Sequence, residues 1–184
     1  AMNTPGQNSN AVAELAFGMM VYAARGGFDG KSGSELMDKT LGIHAFGNVG
    51  RCMARIASGF GMKIFAFDPF VDNKAIAEAG VTPVDTVEEL YSKCQYVSLH
   101  IPANDKTKGS IGEKLLSLMP QGAVLVNTAR KEVINEAELV ALMEKRADLK
   151  YLSDIAPDNA ELFAQKYAGR YFFTPKKMGA QTEE

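Results

Sequence analysis

Apolar residues recur at Val12, Leu15, Ala16, Met19, Met20 and Ala23, a helical spacing that predicts a helix from Asn8 to Arg25. Ser9 or Asn10 is placed to cap it and Gly26-Gly27 to end it. Ala11, Phe17, Gly18, Val21, Tyr22 and Ala24 make its other face nearly as apolar, so the helix should be covered on more than one side, in part by another domain or subunit. After the polar stretch from Gly27 to Lys39, short apolar runs alternate with helical periods. The runs Leu41–Phe46, Lys63–Phe67, Tyr96–His100, Ala123–Asn127, Lys150–Asp154 and Arg170–Thr174 predict strands. Helices are predicted to about Gly59 after the first strand, from a Thr86-Val-Glu-Glu89 capping box to Cys94, and over Gly112–Met119, Glu136–Arg146 and Ala160–Tyr167. Strands of this length alternating with helices define an α/β fold, a Rossmann-type doubly wound parallel sheet.

The chain has 184 residues, 46 % of them hydrophobic, enough for one packed domain. Its 20 basic and 22 acidic side chains leave a formal charge of −2, which points to neither a nucleic-acid nor a membrane partner. The longest apolar run, Leu15–Ala24, is half the length of about 20 residues that crosses a bilayer, and no basic leader is visible at the start. Cys52 and Cys94 stand far apart and the only histidines are His44 and His100. That argues against a disulfide framework and a metal site, and for a reducing, cytoplasmic setting.

The strongest local signal is Gly42-Ile-His-Ala45-Phe-Gly47-Asn-Val-Gly50, a dinucleotide fingerprint with Ala45 in the place of its first glycine. Gly47 would admit the pyrophosphate to the backbone, Gly50 would let helix and strand pack closely, and the helix N-terminus would offer N–H groups and a positive dipole. Taken alone, such a turn serves packing as well as binding. Asp68 follows eighteen residues after Gly50, at the end of the second strand. An acid there holds the ribose hydroxyls of NAD and repels the 2′-phosphate of NADP; an Asp-Pro turn is the plainer alternative. The tract Asn127-Thr-Ala-Arg130 ends another buried strand, where open α/β sheets bind ligands, and an arginine there offers a bidentate fork to a carboxylate.

Asn3-Thr-Pro-Gly-Gln-Asn-Ser-Asn-Ala-Val-Ala-Glu14, the fingerprint, Asp68-Pro69, Ser98-Leu-His-Ile-Pro102, Asn127-Thr-Ala-Arg130, Asp154 and Thr174-Pro175 stand in the order found in D-2-hydroxyacid dehydrogenases. The chain resembles that family over its whole length. The resemblance implies the NAD-binding domain, residues 1–184, of a two-domain enzyme whose substrate domain is not in this chain. It also implies a homodimer through the first helix, and hydride transfer between NAD and a 2-hydroxy acid. The substrate would be 3-phosphoglycerate, in serine biosynthesis, with glycerate or lactate as alternatives. An NAD-sensing, corepressor-like binding module is the non-enzymatic alternative.

By the same resemblance Asn48 and Val49 lie at the pyrophosphate, Asp68 at the ribose, and Ile101 and Pro102 at the adenine. Thr128, Ala129 and Gly179 belong to the cofactor-binding set, Asp154 holds the carboxamide, and Arg130 binds substrate. The family's proton carrier is a histidine after Thr-Pro, oriented by a glutamate, and here the sequence departs from it. Aligning Gly179 with the family's glycine puts Lys177 in the histidine's position, with Lys176 as the alternative. Asn159 occupies the glutamate's position, with Asp158 beside it, and Lys131-Glu132 stand where glycines are usual. Burial and a neighbouring cation such as Arg130 would lower the pKa of such a lysine. The alternative is that both lysines are solvated and the acid has been lost. His44 is expected in or near the core. His100 is expected to be structural, bonding backbone.

Overall fold

The computed structural model describes residues 8–183; the Asn3–Gln7 part of the opening motif lies outside the described residues. Seven parallel strands form one sheet in the order β3-β2-β1-β4-β5-β6-β7. The strands are β1 (Thr40–His44), β2 (Lys63–Phe67), β3 (Thr82–Pro83), β4 (Tyr96–Leu99), β5 (Val124–Asn127), β6 (Lys150–Ser153) and β7 (Tyr171–Phe173). The chain runs outward from β1 in one direction through β2 to β3, then crosses to β4 and runs the other way. The direction of winding therefore reverses between β1 and β4, the position at which open α/β sheets place their ligands.

Strand residues feed two cores alternately, as a pleat with period two requires. In β5, Val124 and Val126 face one core and Leu125 the other. Helices α4 (Val87–Lys93), α5 (Glu113–Leu116), α6 (Glu136–Lys145) and α7 (Ala160–Lys166) contribute Leu90, Leu116, Leu139 and Phe163 to the Leu125 side. The opposite side takes α1 (Ser9–Ala24), α2 (Asn48–Gly59) and α3 (Asn73–Glu78).

Helix α1 is covered in part by the chain itself, while Val12, Leu15, Val21 and Tyr22 on it stay half-buried. α1 packs along α2 and over β5 and β7, and Phe17, Met19 and Met20 are buried. Phe17 stacks on Phe60 just beyond α2, ring centroids 5.2 Å apart. Its N-terminal cap position is Asn8, with no side-chain cap bond, rather than Ser9 or Asn10. Asn10 instead accepts from Arg55 and donates to Glu14.

Two elements were not anticipated, α3 and the edge strand β3. α3 buries only Ile76, so it has no apolar stripe to read, although Asp72 caps it. β3 is two residues long and includes Pro83, which an edge tolerates because its missing N–H is not needed there. The helix expected over Gly112–Met119 is a single turn, Glu113–Leu116. At α4 Thr86 Oγ1 accepts from Glu89 N, while the Glu89 carboxylate accepts from Asp85 N rather than closing the box on Thr86.

Candidate cofactor and active site

The carboxyl ends of β1 and β2 meet in the fingerprint turn. Ala45, in the place of the first glycine, adopts φ +82°, the left-handed conformation that explains why glycine is usual there. A Cβ on Gly50 would lie 2.6 Å from the Ala45 carbonyl oxygen, so α2 reaches β1 this closely only with glycine at that position. A Cβ on Gly47 would meet nothing of the chain within 4 Å, so the chain's own packing does not demand glycine there, whereas a phosphate approaching the backbone does. α2 opens at Asn48 with no side-chain cap and no acid in its first turn, which leaves its N–H groups and positive end for an anion. Asp68 locks the turn: Oδ2 accepts from Phe46 N at 2.7 Å and Oδ1 from Phe70 N at 2.8 Å.

Both histidines close strands beside this turn. His44 Nδ1 lies 2.9 Å from the Tyr91 hydroxyl, and burial, opposed by the charge of Asp68, lowers its pKa to about 4. His100 Nε2 lies 2.8 Å from Ser98 Oγ, a side-chain partner where backbone was expected. Burial, and to a lesser degree the charge of His44, lowers the pKa of His100 to about 3. Ile101 beyond β4 is buried in the core and Pro102 is exposed, its carbonyl accepting from the Thr107 hydroxyl.

The second half of the site is built at the ends of β5, β6 and β7. Asn127 braces the turn after β5: its amide donates to the Arg130 carbonyl and the Tyr151 hydroxyl, and its oxygen accepts from Ala129 N at 3.0 Å. Arg130 projects outward, its side chain 65 % exposed, with Nε 3.6 Å from Glu132 Oε2. Asp154, at the end of β6, is buried. It accepts from Thr174 Oγ1, Met178 N and Gly179 N, and so ties the segment after β7 to the sheet. A Cβ on Gly179 would come within 2.9 Å of Asp154 Oδ2, which fixes that residue as glycine.

This tie brings Lys177 to the turn after β5, where its Nζ donates to the carbonyls of Thr128 at 2.7 Å and Ala129 at 3.0 Å. Desolvation lowers the Lys177 pKa from its usual value and the Arg130 charge adds to that, against the opposing pull of Asp154 and Glu132. Lys176 is exposed. Asp158 is not joined to either lysine; it pairs with Lys131 at 3.0 Å and is itself 78 % exposed.

Sequence reasoning gave no role to Asn127, Glu132, Ser153 or Thr174. Three buried side-chain oxygens have no hydrogen-bond partner among the described residues: Thr128 Oγ1, Glu132 Oε2 and Ser153 Oγ. Thr128 and Glu132 flank Arg130 in the turn after β5, and Ser153 closes β6 paired in register with Asn127. Unsatisfied buried polar atoms are rare and call for an explanation. Water or a bound polar ligand at this edge would each satisfy them, and Glu132 Oε2 also faces Arg130 at 3.6 Å. Together with the open space at Gly47, they fit a dinucleotide laid across the carboxyl edge from β2 to β6. No cluster able to hold a metal ion occurs among the described residues, and none of their helices is long and apolar enough to cross a membrane.

A parallel sheet wound in both directions, with a phosphate-binding turn at its switch point, defines a dinucleotide-binding domain. The family description "D-isomer specific 2-hydroxyacid dehydrogenase, NAD binding domain" matches residues 11–165, and the chain belongs to that family as its NAD-binding domain. It is 35 % identical to the D-3-phosphoglycerate dehydrogenase of Methanocaldococcus jannaschii, with all of this chain and 37 % of that protein covered. It is 38 % identical to a hydroxypyruvate reductase of Thermotoga maritima over 75 % of this chain and 48 % of that protein. Among solved structures, NAD+-bound 3-phosphoglycerate dehydrogenase of Entamoeba histolytica matches with a TM-score of 0.91 and 47 % identity, over 99 % of this chain and 58 % of that one. The chain thus spans roughly a third to three-fifths of the proteins it matches.

Proposed function

We propose that the protein acts as an NAD-dependent dehydrogenase that interconverts 3-phosphoglycerate and 3-phosphohydroxypyruvate, a step of serine biosynthesis in the cytoplasm, with this chain as its cofactor half and the substrate domain elsewhere in the full-length protein. The observation that carries the reading is convergence. Arg130, Lys177 and the buried oxygens of Thr128, Glu132 and Ser153 lie at one edge of the sheet, on the side where the fingerprint turn and Asp68 open. The phosphoglycerate relatives supply the substrate class.

Bound NAD would supply or accept the hydride at C2 of the substrate. The N–H groups of Asn48 and Val49, beside the open space at Gly47, would hold the pyrophosphate, with Gly50 letting α2 pack close to β1. Asp68 would take the ribose hydroxyls, Ile101 and Pro102 would flank the adenine, and Asp154, Thr128, Ala129 and Gly179 would line the nicotinamide end. Arg130 turns its terminal nitrogens to the substrate's carboxylate and carbonyl. In reduction the Lys177 ammonium gives a proton to the C2 oxygen; its N–H bond breaks as the O–H bond forms. In oxidation the neutral amine takes that proton back, which the lowered pKa favours.

The test is a steady-state comparison of 3-phosphohydroxypyruvate, hydroxypyruvate, glyoxylate and pyruvate with NADH and the full-length protein. The phosphorylated acid should give the highest kcat/KM. A higher value for hydroxypyruvate would reassign the substrate, and turnover of none would remove the enzyme reading. This chain alone should turn over none of them, because one wall of a cleft neither positions substrate nor excludes water.

A further inference from the structure

The turn Asn127–Arg130 serves both cations of the site: its Thr128 and Ala129 carbonyls hold Lys177, and Arg130 leaves from its end. One buried side chain shapes this turn from within. The Asn127 oxygen accepts from Ala129 N at 3.0 Å, and its Nδ2 donates to the Arg130 carbonyl at 3.3 Å. Nδ2 also donates to the Tyr151 hydroxyl, 3.2 Å away. Tyr151 is paired with Leu125 across β5 and β6, so its side chain reaches along the sheet by two residues, about 6.5 Å of strand rise, to meet Asn127. The ring is buried between Phe163 and Phe173, with centroids 6.2 and 5.6 Å away. Packing alone would be served as well by phenylalanine, which puts no hydroxyl into the core. Burial raises the Tyr151 pKa, so the hydroxyl stays neutral and accepts from the amide.

We propose that Tyr151 is a positioning residue for the reaction: its hydroxyl holds the Asn127 amide, and the amide holds the turn that aims Arg130 at the substrate and seats Lys177. The proposal rests on the reading of Arg130 and Lys177 given above. The strand ladder between β5 and β6 ends at Asn127 and Ser153, and beyond it the turn depends on the Asn127 side chain and on Lys177 itself. Two of the amide's three bonds go to the turn and move with it. Only the bond to Tyr151 ties the amide to a neighbouring strand. Without the hydroxyl, one amide hydrogen is buried and unpaired, and the amide is drawn away from Ala129 and Arg130 to find another acceptor. Arg130 and Lys177 then lose their setting together. Misplacement of a reacting group by about 1 Å costs on the order of 10²-fold in rate. The fingerprint turn and Asp68 close β1 and β2, which stand two and three places from β5 in the sheet, so cofactor binding there is spared.

The experiment uses the full-length protein with NADH and its preferred 2-keto acid. Tyr151→Phe removes the hydroxyl and keeps the ring. It should lower kcat/KM by about 10- to 100-fold, with KM raised and kcat reduced, while NADH affinity by fluorescence titration is retained. Tyr171→Phe removes another hydroxyl from the same aromatic cluster and should change none of these. Asn127→Ser can still accept from Ala129 N, as serine turns do, but is too short to reach Tyr151. Adding Tyr151→Phe to Asn127→Ser should lower kcat/KM by less than about twofold further, because the two act in one chain of bonds. A merely structural hydroxyl would lower thermal stability and leave KM and kcat in place. That result, or a Tyr151→Phe enzyme within about twofold of wild type in both constants, overturns the proposal while leaving Arg130 and Lys177 as assigned. Losses that multiply independently in the double variant overturn the route through Asn127, and the proposal with it. If Lys177→Met keeps kcat and Arg130→Lys keeps KM, the underlying reading fails, whatever Tyr151→Phe does.

Discussion

Asp68 has two tasks at one position. Its oxygens fix the backbone of Phe46 and Phe70, and its proposed second task is to oppose the 2′-phosphate of NADP. NADH should therefore bind this chain at least about tenfold more tightly than NADPH, since like charges a few ångströms apart cost more than about 1 kcal/mol. Asp68→Asn, which keeps the shape and removes the charge, should narrow the gap to a few-fold; Asp68→Ala would also strip partners from two N–H groups. Fluorescence titration of both cofactors decides it, and equal affinities in the wild type would contradict the assignment. The identity of Asp68 was legible because it stands a fixed distance beyond a glycine turn. Its bond to Phe46 N was not, since nothing in the sequence says which N–H a carboxylate takes. Glu132 was visible only as a departure from glycine; that its oxygen is buried without a partner is a three-dimensional fact.

At the scale of elements, β1 ends in His44 and His100 follows directly after β4, and burial favours the neutral form of both. Their folded pKa values lie below the unfolded value of about 6.5, so the unfolded chain binds protons more readily as pH falls. The stability this withholds is fully present above pH 6.5 and is lost from there down towards pH 4. At pH 5 His44 alone should cost on the order of 2 kcal/mol relative to pH 7.5. Urea unfolding at the two pH values measures it, and equal stabilities would show that the ring is solvated. The elements themselves were readable where burial is complete: β4 and β5 are buried at every residue, and their apolar runs are broken only by Ser98 and closed by Asn127. α3 and β3 lie at the sheet's edge, where one buried residue or a single proline leaves no period to detect.

At the scale of the whole molecule, the apolar character of α1 was legible, and the part of its cover that comes from within the chain was not. An all-round apolar helix needs cover, and β5, β7 and α2 give part of it within the chain, a crossing that a one-dimensional pattern does not reveal. The homodimer implied by the family resemblance is proposed to use the half-buried residues of α1 together with Phe28, Met37 and Phe60, which remain 66 %, 53 % and 38 % exposed. Sedimentation at micromolar concentration should show a dimer that Phe28→Ser with Met37→Ser dissociates; a wild-type monomer would count against it. The two halves of the site come together only because Asp154 ties the segment after β7 to the end of β6, which sets Lys177 against the turn that carries Arg130. That meeting was anticipated from the family's order of motifs rather than from spacing, because the two residues are far apart in sequence.

The account turns on Lys177 moving the proton. In the full-length enzyme, Lys177→Met should lower kcat by about 10²- to 10⁴-fold, the usual contribution of an oriented general acid–base, with NADH affinity unchanged. Arg130→Lys should instead raise KM as well, since an ammonium cannot reproduce the fork. If Lys177→Met and Lys176→Met both keep nearly full kcat with the preferred 2-keto acid, the proton comes from elsewhere, and a lysine-based dehydrogenase is the wrong description of this site.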